Sequence, residues 1–224
     1  ICTGNTIQFS DESYNEVNGW TWTFTGGTPN SSTDQNPVIT YNTPGLYPVT
    51  LTATDGSSND GETKTNFIRV LPASSSLPFS ESFESLSTLT NIEEWSIINN
   101  GGNGFELTTA AGDASSKSAR LRNFGEAMGT KDELISAPVD LSSITDQVTL
   151  SYRYAHKRRS SSDDDWLKVY VTTDCGESWA LRKSSHGAFL STEISTSSFT
   201  PSSVDDWKTV HVTNITSALW VDNF

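Results

Sequence analysis

The chain has 224 residues, a formal net charge of -13 and a pI near 4.5. No stretch approaches the roughly 18 apolar residues of a membrane helix, so a membrane-spanning helix is excluded. The acidic balance also excludes nucleic acid as the main partner, because a phosphate backbone demands a basic face. Ser and Thr number 34 and 29. Together with Gly, Pro and aromatics in short alternating runs they predict a β protein, while seven Trp and ten Phe supply a real core. The chain opens at Ile1 without a Met or a signal peptide, which reads as a fragment of a larger secreted protein.

Strand signals begin early. Trp20, Trp22 and Phe24 alternate with Thr21, Thr23 and Thr25, so the aromatics share one sheet face and the threonines the other. Tyr47, Val49, Leu51 and Ala53 repeat the pattern. Gly26-Gly27 and Thr43-Pro44-Gly45 supply turns, and Phe67-Ile68-Arg69-Val70 reads as the last strand. About seven short strands in 71 residues fit an immunoglobulin-like β-sandwich. Pro72-Ala-Ser-Ser-Ser-Leu77 is a small, polar, Pro-led linker between residues 1–71 and 78–224.

The first part resembles a PKD domain, the Ig-like module of many bacterial secreted proteins. The resemblance is carried by Cys2-x-Gly4, Ile7-x-Phe9-x-Asp11-x-Ser13, the Trp20-x-Trp22-x-Phe24-x-Gly26-Gly27 run and Pro44-Gly45-x-Tyr47-x-Val49-x-Leu51.

The second part is also β. Val148, Leu150, Tyr152 and Tyr154 alternate, as do Leu167, Val169 and Val171. Val210 and Val212 mark a further strand and Leu219-Trp220-Val221 another. No segment has a helical period, and a jelly roll is the usual architecture at this size. Leu77-Pro78-Phe79-x-Glu81-x-Phe83-Glu84, Lys131-Asp132-Glu133-Leu134, Asp165-x-Leu167-x-Val169, Thr173-Asp174-Cys175-Gly176-x-Ser178-Trp179 and Trp220-Val221-Asp222-Asn223 are the marker runs. In this order they are similar to the MAM-like jelly roll that follows a PKD domain in secreted Bacteroidetes metalloproteases of the cytophagalysin and pappalysin-like group. The resembling domains carry a longer stretch before the closing strand than Thr213–Ala218. A segment missing near residues 213–218 is the favoured reading, and a shortened sandwich the alternative.

Residues that could carry chemistry are few. None of His156, His186 and His211 lies in a His-Glu-x-x-His run, and no Gly-x-Ser-x-Gly elbow occurs. Cys175 reads as a buried strand-end cysteine, with a disulfide to Cys2 left open. Glu81 with Glu84 and Asp205 with Asp206 read as solvated acidic pairs, not a glycosidase pair. The resemblance implies a structural calcium tying the first strand to the last, with Glu84, Asp132 and Asp222 as its ligands. His156-Lys157-Arg158-Arg159, Ser160-Ser161-Ser162 and Asp163-Asp164-Asp165 form a solvated hairpin tip. There Arg158 and Arg159 are candidate contacts to an anionic sugar or neighbouring domain. Trp20, Trp22 and Trp179 read as core, and Trp166 as the most plausible exposed aromatic and ligand-binding residue.

The resulting expectation is an all-β chain: an Ig-like β-sandwich (1–71), a linker (72–77) and a jelly-roll β-sandwich (78–224). Functionally it reads as a non-catalytic accessory region of a secreted or cell-surface protein. The resemblance implies a metalloprotease parent. Its partners would be a protein or glycan surface ligand and upstream catalytic or repeat domains of the same chain. An adhesin or structural surface protein without an attached enzyme is the alternative, and a jelly-roll glycosidase a third reading.

Overall fold

The computed structural model describes residues 1–89, 95–126 and 129–224. It divides into two compact units, Ile1–Ala73 and Ser74–Phe224.

Seven strands build the first unit: β1 (Thr6–Gln8), β2 (Gly19–Phe24), β3 (Gly27–Thr28), β4 (Ser31–Ser32), β5 (Val38–Tyr41), β6 (Gly45–Thr54) and β7 (Asn59–Val70). They form two antiparallel sheets, ordered β1-β5-β3 and β4-β2-β6-β7. The alternation in β2 works as its spacing predicts: Trp22 and Phe24 are buried, while Thr21 and Thr23 face water. Phe9, Ile39, Tyr41, Val49, Ile68 and Val70 complete the core. Its centre is aromatic, with the Phe9 and Phe24 rings 4.7 Å apart and Trp22 stacked on Phe24 at 5.6 Å. Trp20 packs at the edge of this core and donates its indole N–H to Asp11 Oδ2 at 2.7 Å. The β2–β3 corner must be glycine. Gly26 has φ +75°, and a Cβ there would lie 2.3 Å from Tyr47 Cε1.

The second unit holds β8 (Trp95–Asn99), β9 (Phe105–Thr108), β10 (Ser118–Leu121), β11 (Asp132–Ser136), β12 (Val148–Tyr154), β13 (Trp166–Val171), β14 (Ala180–His186), the one-turn helix α1 (Gly187–Leu190) and β15 (Lys208–Ile215). Among the described residues these strands pair as four two-stranded antiparallel ladders: β8–β11, β9–β10, β12–β15 and β13–β14. The architecture is therefore all β in both units, and the helical content is limited to single turns. The 72–77 stretch is not wholly a free linker, because Ser75 forms a parallel bridge with Val139 and exchanges backbone bonds with Pro138 and Asp140.

The closing segment differs from its expectation as a strand. Ser217–Leu219 is a 3-10 turn, and only then does the chain extend. Val221 O accepts from the Leu141 amide at 2.8 Å, and Phe224 exchanges both backbone bonds with Val139. Leu219, Trp220 and Phe224 pack on the buried cluster Leu141, Val212 and Ile215. From the end of β15 at Ile215 the chain reaches the partners of its closing segment through one tight turn.

Candidate functional site

The expected cation ligands are not gathered into one centre. Among the described residues no group of three or more His, Cys, Asp or Glu side chains is placed to hold a metal ion. Both carboxylate oxygens of Glu84 are taken. Oε1 accepts from the Ser116 and Lys117 amides at 2.7 Å each, and Oε2 from the Ser116 hydroxyl at 2.8 Å. The Ser116 hydroxyl foremost, with these amides, holds the Glu84 carboxyl below its ordinary range against the opposing effect of burial. Asp132 opens β11 opposite Asn99, with its Oδ1 enclosed and unpartnered among the described residues. Asp222 is exposed. The other acidic pairs are structural too. Glu81 accepts from the Phe83 amide and from Trp95 Nε1 at 3.3 Å, while Asp206 caps the 3-10 turn Val204–Asp206. Neither cysteine is a free thiol.

Arg158 is corrected from an exposed contact to a buried one. Its backbone bridges Ile194, the residue is 8% exposed, and its Nη1 donates to the Ser161 carbonyl at 2.9 Å. It braces the loop from within, out of reach of a large ligand. Arg159 stays at the surface, 3.8 Å from Asp163 and over the Phe124 ring at 5.8 Å. Ser160 and Asp163 close the tip. Burial acts to raise the Asp163 pKa, but the Ser160 hydroxyl and nearby amides outweigh it and leave it lowered.

Trp166 sits in a cluster whose other members the sequence did not disclose. It opens β13 directly opposite His186, the last residue of β14. Indole and imidazole stack with centroids 4.0 Å apart and planes 6° apart. Lys168 Nζ lies over the indole at 4.6 Å, as its position two residues along the same face allows. His186 Nδ1 is 2.6 Å from Asp164 Oδ1, which fixes the imidazole plane. That approach requires Gly187. Its φ is +49°, and a Cβ there would fall 2.9 Å from Asp164 Oδ1. Asp165 turns the other way, within 3.1 Å of Asn123 Nδ2 and 3.2 Å of His156 Nε2. Three loops, at 123–124, 156–165 and 186–189, therefore converge on one end of the β13–β14 ladder.

The solvent face there is apolar to an unusual degree. Trp166 is 53% exposed and Phe189 84%, with Phe124 also open, whereas the exposed pair Tyr170 and Leu181 lies toward the other end of the ladder. Phe189 stands on α1 with its ring 6.0 Å from His186. Trp179, expected in the core, is exposed at 42%. Its neighbours explain why: Asp174 binds Ser178 and Thr172 in a tight β13–β14 loop, and that loop leaves the indole outside. A signal for Phe189 existed in the His186-Gly-Ala-Phe189 run, but only the 166–186 register reveals that it belongs with Trp166. The cluster offers flat rings with carboxylates beside them, which suits binding.

Residues 1–70 match the family described as the PKD domain. No curated protein and no solved structure matches the chain. Among the described residues no helix is long and apolar enough to cross a membrane.

Proposed function

We propose that the protein is a non-catalytic binding and presentation region of a secreted or cell-surface protein, engaging a polypeptide surface through the ridge formed by Trp166, His186 and Phe189. The observation that carries this reading is the ridge itself: contiguous exposed rings, held in place by an Asp164–His186 bond and a cross-strand stack. Aromatic anchors of this kind dominate protein interfaces. A sugar would need an open ring face, and the Trp166 ring is already met by His186 and Lys168. That favours a polypeptide over a glycan. The PKD match of the first unit agrees with an extracellular binding or spacer role. The resemblance of the second unit extends the proposal to a metalloprotease parent, whose substrate or envelope contact this region would hold.

The test is binding of the 224-residue chain to protein and glycan arrays, with Trp166→Ala and Phe189→Ala in parallel. Each substitution is expected to weaken a protein ligand by ~2 kcal/mol, about thirtyfold. Binding that both variants retain in full overturns the site. Selective glycan binding overturns the ligand class, and measured hydrolysis by the chain alone overturns the non-catalytic reading.

A further inference from the structure

Most cations of this acidic chain are already engaged. Arg120 and Arg122 hold Glu106, Lys131 holds Glu133, Arg153 holds Asp113 and Lys157 holds Glu193. Arg182 and Lys183 differ. They are adjacent on β14 and have no acidic partner among the described residues.

The backbone around them is irregular in a matched way. On β14, Val169 faces Lys183 and Tyr170 faces Leu181, so Arg182 is the extra residue of a β-bulge. On β15, Ile215 faces Val148 and Val212 faces Leu150, so Thr213 and Asn214 stand against Thr149 alone. The two bulges meet: Asn214 Nδ2 donates to the Arg182 carbonyl at 3.1 Å. Bulges disrupt a ladder and re-aim the side chains they carry. Here they open a groove lined by Arg182, Lys183, His211, Val212, Thr213 and Asn214. His211 stands opposite Ser151, with Nδ1 2.7 Å from the Ser151 hydroxyl, so Nε2 is the ring nitrogen left to meet a ligand. Arg182 Nε is enclosed and has no acceptor among the described residues. A buried donor without an acceptor is rare in native proteins, and with Nε closed to solvent an oxyanion would meet the outer Nη donors of the same guanidinium.

We propose that this groove between β14 and β15 is a binding site for an oxyanion of the sulfate, phosphate or carboxylate class. The guanidinium presents fixed donors that match such oxygens, Lys183 adds a point charge, and Thr213 adds a hydroxyl. The chain carries a net charge of -13 and repels anions at long range, so affinity here must be local. The site stands apart from the aromatic ridge and does not rest on it.

The experiment is an NMR titration of the 224-residue chain with sulfate, phosphate and acetate, at ionic strength held constant with chloride. Saturable shifts are expected at the amides of Arg182, Lys183, Thr213 and Asn214 and at the His211 ring with at least one of the three. Lys183→Gln, an exposed change that spares the fold, is expected to weaken that binding about tenfold, the factor for one charge-assisted bond. Arg182→Gln should weaken it by at least as much, and Trp166→Ala should leave it unchanged. Linear shifts with all three anions, or binding that Lys183→Gln leaves intact, overturns the proposal. The relative affinities of the three probes separate a tetrahedral from a planar ligand.

Discussion

Tyr41 shows how much one atom matters in a core this aromatic. The residue is fully buried, and its hydroxyl has no hydrogen-bond partner among the described residues. Burial foremost, and then the neighbouring Tyr47, push its pKa up from 10.0 to about 12. A raised folded pKa favours the neutral form, so its contribution is complete below pH 10 and is lost as pH rises from 10 toward 12. Tyr41→Phe removes the unsatisfied hydroxyl while keeping the ring. It is expected to raise stability at neutral pH by about 1 kcal/mol and to flatten the loss above pH 10. Urea unfolding of both proteins at neutral and alkaline pH checks this, and a destabilised variant would show that the hydroxyl has a partner after all. Residue spacing did not disclose the orphaned hydroxyl. Its environment comes from β5 lying under the second sheet.

At the scale of elements, the Asp174 loop shows what a motif can mean. The Thr-Asp-Cys-Gly-x-Ser-Trp run looked like a signature with Trp179 in the core. In the fold it is a clasp joining β13 to β14. The Ser178 hydroxyl and amide and the Thr172 hydroxyl bind the carboxylate, and Ser178 above all lowers its pKa from 3.8 to about 2. A depressed folded pKa means that stability is present above pH 3.8 and drains away as pH falls toward 2. Asp174→Asn is expected to be less stable at neutral pH and to lose part of this acid dependence. Thermal melts between pH 2 and 7 would expose the difference, and superimposable pH profiles would reject it. The strands on either side were legible because Leu167, Val169 and Val171 alternate. The exposure of Trp179 was not legible, since period and composition do not say which way a loop closes.

For the whole molecule, the placement of carboxylates bears on whether a metal matters. Glu84 is satisfied by Ser116 and Lys117, and Asp222 is exposed on the closing segment. Excess EDTA is therefore expected to leave the melting temperature unchanged, within the scatter of repeat scans. A drop of several degrees, reversed by calcium and accompanied by stoichiometric metal, would establish the structural cation that the resemblance implies. Glu84 would then have to exchange its hydrogen bonds for metal bonds.

The sequence by itself determined that this is a β protein, where the aromatic core of the first unit lies, and that threonines cover the outer face of β2. Those properties follow from side-chain alternation, which depends only on neighbours two residues apart. Tertiary structure alone decided that Trp166 meets His186, that Phe189 joins them, that Arg158 turns inward, and that two bulges bring Arg182 beside Asn214. Each of these depends on strand register or loop closure between residues far apart in the chain. Residue spacing carries no record of which strand becomes the partner.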